Sequence, residues 1–97
     1  MLIHIVCWKY RSEATYEMRE DHRTRLRALT QVIDDIVSFN VGADILHLER
    51  SFDSGLVAVF RDRDALDRYT DHPEHQKVAA LGRELSERVV SVDFMDN

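Results

Sequence analysis

Between residues 69 and 75 the chain reads Tyr69-Thr70-Asp71-His72-Pro73-Glu74-His75, with the one proline and two of the five histidines. Proline suits the first position of a helix, because its missing N–H would go unpaired there anyway. A helix starting at Pro73 carries His75 in its first turn. There the positive end of the helix dipole and partial burial both disfavour imidazolium. A neutral imidazole accepts a proton near pH 7. A tyrosine hydroxyl beside it can hydrogen-bond a carbonyl and stabilise a developing enolate. Tyr69 as donor and His75 as general base therefore form the candidate catalytic pair, suited to proton abstraction next to a carbonyl. The same spacing also fits a semi-buried pair that merely satisfies its own hydrogen bonds. His72 reads as a cap.

The elements that would position this pair follow from periodicity. Residues 2–10 are apolar and β-branched and read as a first strand, with His4, Val6, Trp8 and Tyr10 on one face and Ile3, Ile5, Cys7 and Lys9 on the other. A helix capped by Thr15 follows. Met18, His22, Leu26, Leu29 and Ile33 recur on one inward stripe, while Glu20, Arg23, Arg27 and Gln31 face outward. Asp34-Asp35 reads as a turn, residues 37–41 as a second strand, and Gly42 as a bend or bulge. Residues 43–50 read mostly as loop, and 51–61 as a third strand built on Leu56 to Phe60. Asp62 or Asp64 caps a short helix over about 64–70 that faces inward through Ala65, Leu66 and Tyr69. In the helix begun by Pro73, His75, Val78, Gly82 and Leu85 share a stripe. Residues 89–94 form the last strand.

The order β-α-β-β-α(α)-β, read as one domain over 1–97, predicts a ferredoxin-like α+β fold: a four-stranded antiparallel sheet with helices on one face. Helices can cover only that face, yet the first and third strands are apolar on both. The bare face therefore needs a cover, and a second copy packed sheet to sheet is the simplest one. A homodimer with Ile3, Ile5 and Cys7 near its interface is expected. On the helix side, His4, Val6, Trp8, His22, Leu26 and Val78 are expected to line a pocket with Tyr69 and His75, for a small apolar or carbonyl-bearing ligand.

Composition narrows the remaining classes. The net charge of −5 and the lack of a basic cluster exclude a phosphate backbone or an anionic membrane as the natural partner. No apolar run approaches spanning length, and the start does not read as a signal peptide. Cys7 is the single cysteine, so no intrachain disulfide is possible, and a cytoplasmic protein is expected. His4, His22 and His75 come from separate elements without ligand spacing, so neither metal nor cofactor is expected. The glycines Gly42, Gly55 and Gly82 form no phosphate loop, and nucleophile motifs are absent.

Four segments together carry a family pattern: His4-Ile5-Val6; Ser38-Phe39-x-Val41-Gly42; Ala65-Leu66-x-x-Tyr69-x-x-His72-Pro73-x-His75; and Val89-Val90-x-Val92-Asp93-Phe94. In this order they resemble the stress-responsive α/β-barrel (Dabb) family. The resemblance implies a dimeric α+β barrel. Plant members include stress-induced, very stable proteins. A more distant relative, olivetolic acid cyclase, closes a linear polyketide thioester by aldol chemistry, and its catalytic tyrosine and histidine fall at Tyr69 and His75. A first-strand histidine falls at His4, and a pocket aromatic falls at His22. The resemblance thus implies cofactor-free cyclase-like or isomerase-like acid/base chemistry. It also leaves open a noncatalytic stress-related dimer with a filled pocket, or a cofactor-free monooxygenase-like barrel. Asp34-Asp35 departs from the Pro-Gly found in many relatives.

Overall fold

The computed structural model describes residues 1–96. In order, the elements are β1 (Leu2–Tyr10), α1 (Tyr16–Ala28) running into a single tight turn at Leu29–Gln31, β2 (Ile36–Ala43), β3 (Ser54–Phe60), α2 (Arg63–Asp71), α3 (Pro73–Leu85) and β4 (Ser86–Met95). The strands form one antiparallel sheet in the order β2-β3-β1-β4. This is the ferredoxin-like α+β plan expected from the sequence.

The caps explain where the helices begin. Thr15 Oγ1 accepts the Met18 N–H at 3.2 Å. Asp62, rather than Asp64, caps α2, taking the Ala65 N–H at 2.9 Å. His72 closes α2 and opens α3: its Nδ1 accepts the Glu74 N–H at 3.1 Å, and Pro73 follows in the first turn. The strands depart from expectation at their ends. β2 runs through Gly42, which pairs directly with Gly55. The register shifts instead between Ile36 and Ser38, and between Lys9 and Tyr10. β3 starts at Ser54, later than expected, where its pairing with Trp8 of β1 begins. β4 starts earlier than expected, at Ser86, because its edge pairing with β1 reaches Tyr10.

Leu2, Trp8 and Tyr10 of β1 are buried on the helix side with Leu56, Ala58 and Phe60 of β3. Leu26, Leu29 and Ile33 close the core from α1, Ala65, Leu66 and Tyr69 from α2, and Val78 from α3. Two assignments on α1 are corrected. Met18 is exposed, at 47% of its surface, whereas Arg23 is buried at 5%. Arg23 tolerates burial because its donors are used: Nη1 donates to Ser54 Oγ at 2.8 Å and Nη2 to Glu20 at 3.0 Å. The inward stripe of α1 therefore begins at His22, one turn later than expected.

The opposite sheet face is apolar across three strands. Ile3, Ile5 and Cys7 pair laterally with Val59, Val57 and Gly55 on one side, and with Phe94, Val92 and Val90 on the other. Val57, Val90, Val92 and Phe94 are exposed in the single chain.

Candidate functional site

Six of the eight expected site residues line one cavity of about 260 Å³: His4, Val6 and Trp8 from β1, Leu26 from α1, Tyr69 from α2 and His75 from α3. The cavity lies between α3 and the sheet. Its outer rim includes Arg83 on α3 and Val89 and Ser91 on β4, all exposed. Residues 75, 79 and 83 recur at four-residue spacing, so His75, Ala79 and Arg83 form one row of α3 along the cavity.

The rings of Tyr69 and His75 lie 4.2 Å apart, tilted by 42°. They are packed together, but no hydrogen bond joins them among the described residues. His75 Nδ1 instead lies 3.1 Å from the carbonyl oxygen of Thr70, at the junction between α2 and α3. A carbonyl can only accept, so Nδ1 carries the proton and Nε2 is left with its lone pair. Burial lowers the basicity of His75. The Thr70 carbonyl opposes this shift, while the nearby His4, Arg83 and His72 reinforce it. Tyr69 is 1% exposed, and burial raises its pKa, which keeps the phenol protonated as a donor.

His4 completes this end of the cavity. Its ring centroid stands 6.0 Å from that of Tyr69. The pairing of β1 with β4 sets His4 opposite Asp93, and His4 Nδ1 forms a short hydrogen bond with the Asp93 carboxylate. The carboxylate fixes the imidazole ring and assigns the proton to Nδ1. Asp93 was legible as part of the family pattern, but its link to His4 depends on register. Arg83 was missed, although its spacing from His75 and Val78 already placed it on a related helical face.

The two remaining expected residues lie elsewhere. Val78 is buried against α1, beside Leu29 and Leu81. His22 is wholly buried behind Trp8, their rings 5.0 Å apart, edge to face. It belongs to a separate polar chain. Arg23 donates to Ser54 Oγ, the Tyr10 hydroxyl donates to the same oxygen at 2.9 Å, and His22 Nδ1 lies 2.7 Å from the Tyr10 oxygen. In that arrangement Nδ1–H donates to Tyr10, and Nε2 is left buried and unpartnered. Burial, with a smaller contribution from the charge of Arg23, lowers the His22 pKa to about 4. Among the described residues, no group of three or more His, Cys, Asp or Glu side chains is placed to hold a metal ion. No helix among them is long and apolar enough to cross a membrane.

Fold and cavity together define a ferredoxin-like α+β domain with a Tyr-His-lined pocket between sheet and helices. The chain belongs to the Stress responsive A/B Barrel Domain (Dabb) family, whose model matches residues 2–96. It is similar to a dimeric ferredoxin-like protein of unknown function from Thermobifida fusca yx, at 26% identity and a TM-score of 0.88, covering 96% of this chain and 88% of that one. A dimeric protein of unknown function and ferredoxin-like fold from Bacteroides fragilis matches at 24% identity and a TM-score of 0.85, covering 98% and 95%. A hydroxynitrile lyase from Passiflora edulis shares the fold at 15% identity and a TM-score of 0.89, covering 99% and 93%. No curated protein matches the chain in sequence.

Proposed function

We infer that this chain binds a small carbonyl-bearing ligand in the cavity between β1 and α3, and that the site carries out acid/base chemistry of the cyclase or isomerase type. The observation that carries this reading is how the hydrogen bonds of the pair are used. His75 spends Nδ1 on the Thr70 carbonyl, and Tyr69 and His75 are not bonded to each other. A donor and a base thus face one apolar space.

In this reading the Tyr69 hydroxyl hydrogen-bonds the ligand carbonyl and stabilises the enolate as it forms. His75 Nε2 takes the proton from the adjacent carbon. His4, held by Asp93, supports the same carbonyl end. The apolar walls exclude water and strengthen these interactions. That a protein of this fold is a hydroxynitrile lyase agrees with catalysis on the scaffold, but the reaction here is argued from the site. The alternative of a filled, noncatalytic pocket is disfavoured: Trp8 and Leu26 line the cavity without filling it, and His22 lies outside it.

A homodimer formed through the sheet face accompanies this reading. It is supported by the bare apolar surface around Ile3, Ile5 and Cys7 and by the dimeric neighbours.

The test is hydrogen–deuterium exchange of the methyl protons of acetophenone in D2O, followed by proton NMR. The wild type is expected to accelerate exchange above buffer, and His75→Ala to abolish the acceleration. Bound acetophenone with no acceleration would make the site a binding pocket only. Absence of binding by acetophenone and by a wider panel of ketones would sink the reading.

A further inference from the structure

Arg83 lines the cavity from its rim. His75 and Arg83 are about 12 Å apart along the α3 axis at 1.5 Å per residue, with Ala79 between them. Long helical side chains lean toward the N-terminus, so the guanidinium reaches back along this row towards His75. Its positive charge is felt there, after burial, as one of the influences lowering His75 basicity. Arg83 is exposed, and the ion pairs among the described residues use other cations. Among the described residues no Asp or Glu side chain lines the cavity. Among the described residues, Arg83 is thus the one Lys or Arg on its wall, and it lies about two turns of α3 from His75. A single guanidinium offers a planar, two-pronged donor set that matches a carboxylate.

We propose that the ligand is a small oxo acid, its ketone against Tyr69 and His75 and its carboxylate held by Arg83 at the rim. This rests on the carbonyl reading above and adds the anionic end. Arg83 is a specificity determinant here: it fixes the orientation of the ligand and favours a carboxylate over a neutral ketone of the same shape.

Two isosteric probes test this, 4-acetylbenzoate and the neutral 4-acetylbenzamide, titrated calorimetrically into wild type, Arg83→Gln, Arg83→Lys and Tyr69→Phe. The wild type is expected to bind the carboxylate about tenfold more tightly than the amide, the scale of one charge-assisted contact. Arg83→Gln is expected to equalise the two and Arg83→Lys to keep part of the preference, both with an unchanged thermal melt. Tyr69→Phe should weaken both probes alike. Equal affinities in the wild type, or a preference that survives in Arg83→Gln, would overturn the carboxylate assignment while the carbonyl reading stands. An Arg83-dependent preference with both affinities unchanged in Tyr69→Phe would support the anion site and overturn the carbonyl reading. Failure of both probes to bind where acetophenone binds overturns the carboxylate assignment alone, and failure of all the ketones overturns both.

Discussion

Tyr69 and His75 pack ring against ring, with centroids 4.2 Å apart, yet no hydrogen bond joins them among the described residues. A purely structural Tyr–His pair would be expected to close that bond, because an unused hydroxyl in a core is costly. Here the imidazole turns to the Thr70 carbonyl, and the phenol is left to the cavity.

This relationship separates a structural tyrosine from a functional one. Tyr69→Phe removes a hydroxyl that is bonded to no described residue. It is expected to change stability by less than about 0.5 kcal/mol, against about 1–1.5 kcal/mol for a bonded one. Binding of a ketone should weaken about tenfold in the same variant. Urea denaturation beside a ligand titration checks both. A large stability loss with unchanged binding would make the hydroxyl a structural group.

His22 gives the fold a pH dependence. Its pKa falls from 6.5 to about 4 on folding, so between these values the unfolded chain binds more protons than the folded one. The stabilisation is fully present above pH 6.5 and is lost as the pH falls towards 4. Between pH 7 and pH 5 this amounts to about 2 kcal/mol. Burial of His75 pushes in the same direction. Urea unfolding at the two pH values should show the loss, and His22→Gln should remove most of it. An equal slope in wild type and variant would exclude His22 as its source.

Gly82 is required by close approach. A Cβ there would stand 2.8 Å from Trp8 Nε1 and 2.9 Å from His22 Nε2, both on rigid, packed rings. Gly82→Ala should gain about 1 kcal/mol in helix propensity and still lose about 1–3 kcal/mol net through overpacking. A thermal melt reads the sign directly. The same variant should disturb the Trp8 wall and weaken ligand binding in the cavity.

The sheet face carries the assembly prediction. Ile5→Asp places a charge at the centre of the apolar patch, on the central strand and away from the core. Sedimentation equilibrium should give a dimer for the wild type at micromolar concentration and a monomer for the variant. A monomeric wild type would leave the exposed Val57, Val92 and Phe94 in need of a different cover.

The sequence by itself determined the element order, the helix starts at Thr15 and Pro73, and the two-faced character of β1. These rest on local rules: capping, proline geometry and alternation act within a few residues. It also placed His75 inward, because three or four residues of helical phase suffice for that. Tertiary structure alone decided the rest. Arg23 looked like a surface cation and became a buried one, because Ser54, thirty-one residues away, supplied an acceptor. His22 matched the pocket stripe, yet the Tyr10–Ser54 chain drew it behind Trp8. Asp93 became the partner of His4 through the register of β4 on β1. Whether Tyr69 and His75 would bond each other or stay unbonded beside the cavity turned on one carbonyl at the junction of α2 and α3. Such choices depend on which distant donor and acceptor meet, and periodicity along the chain carries no record of that.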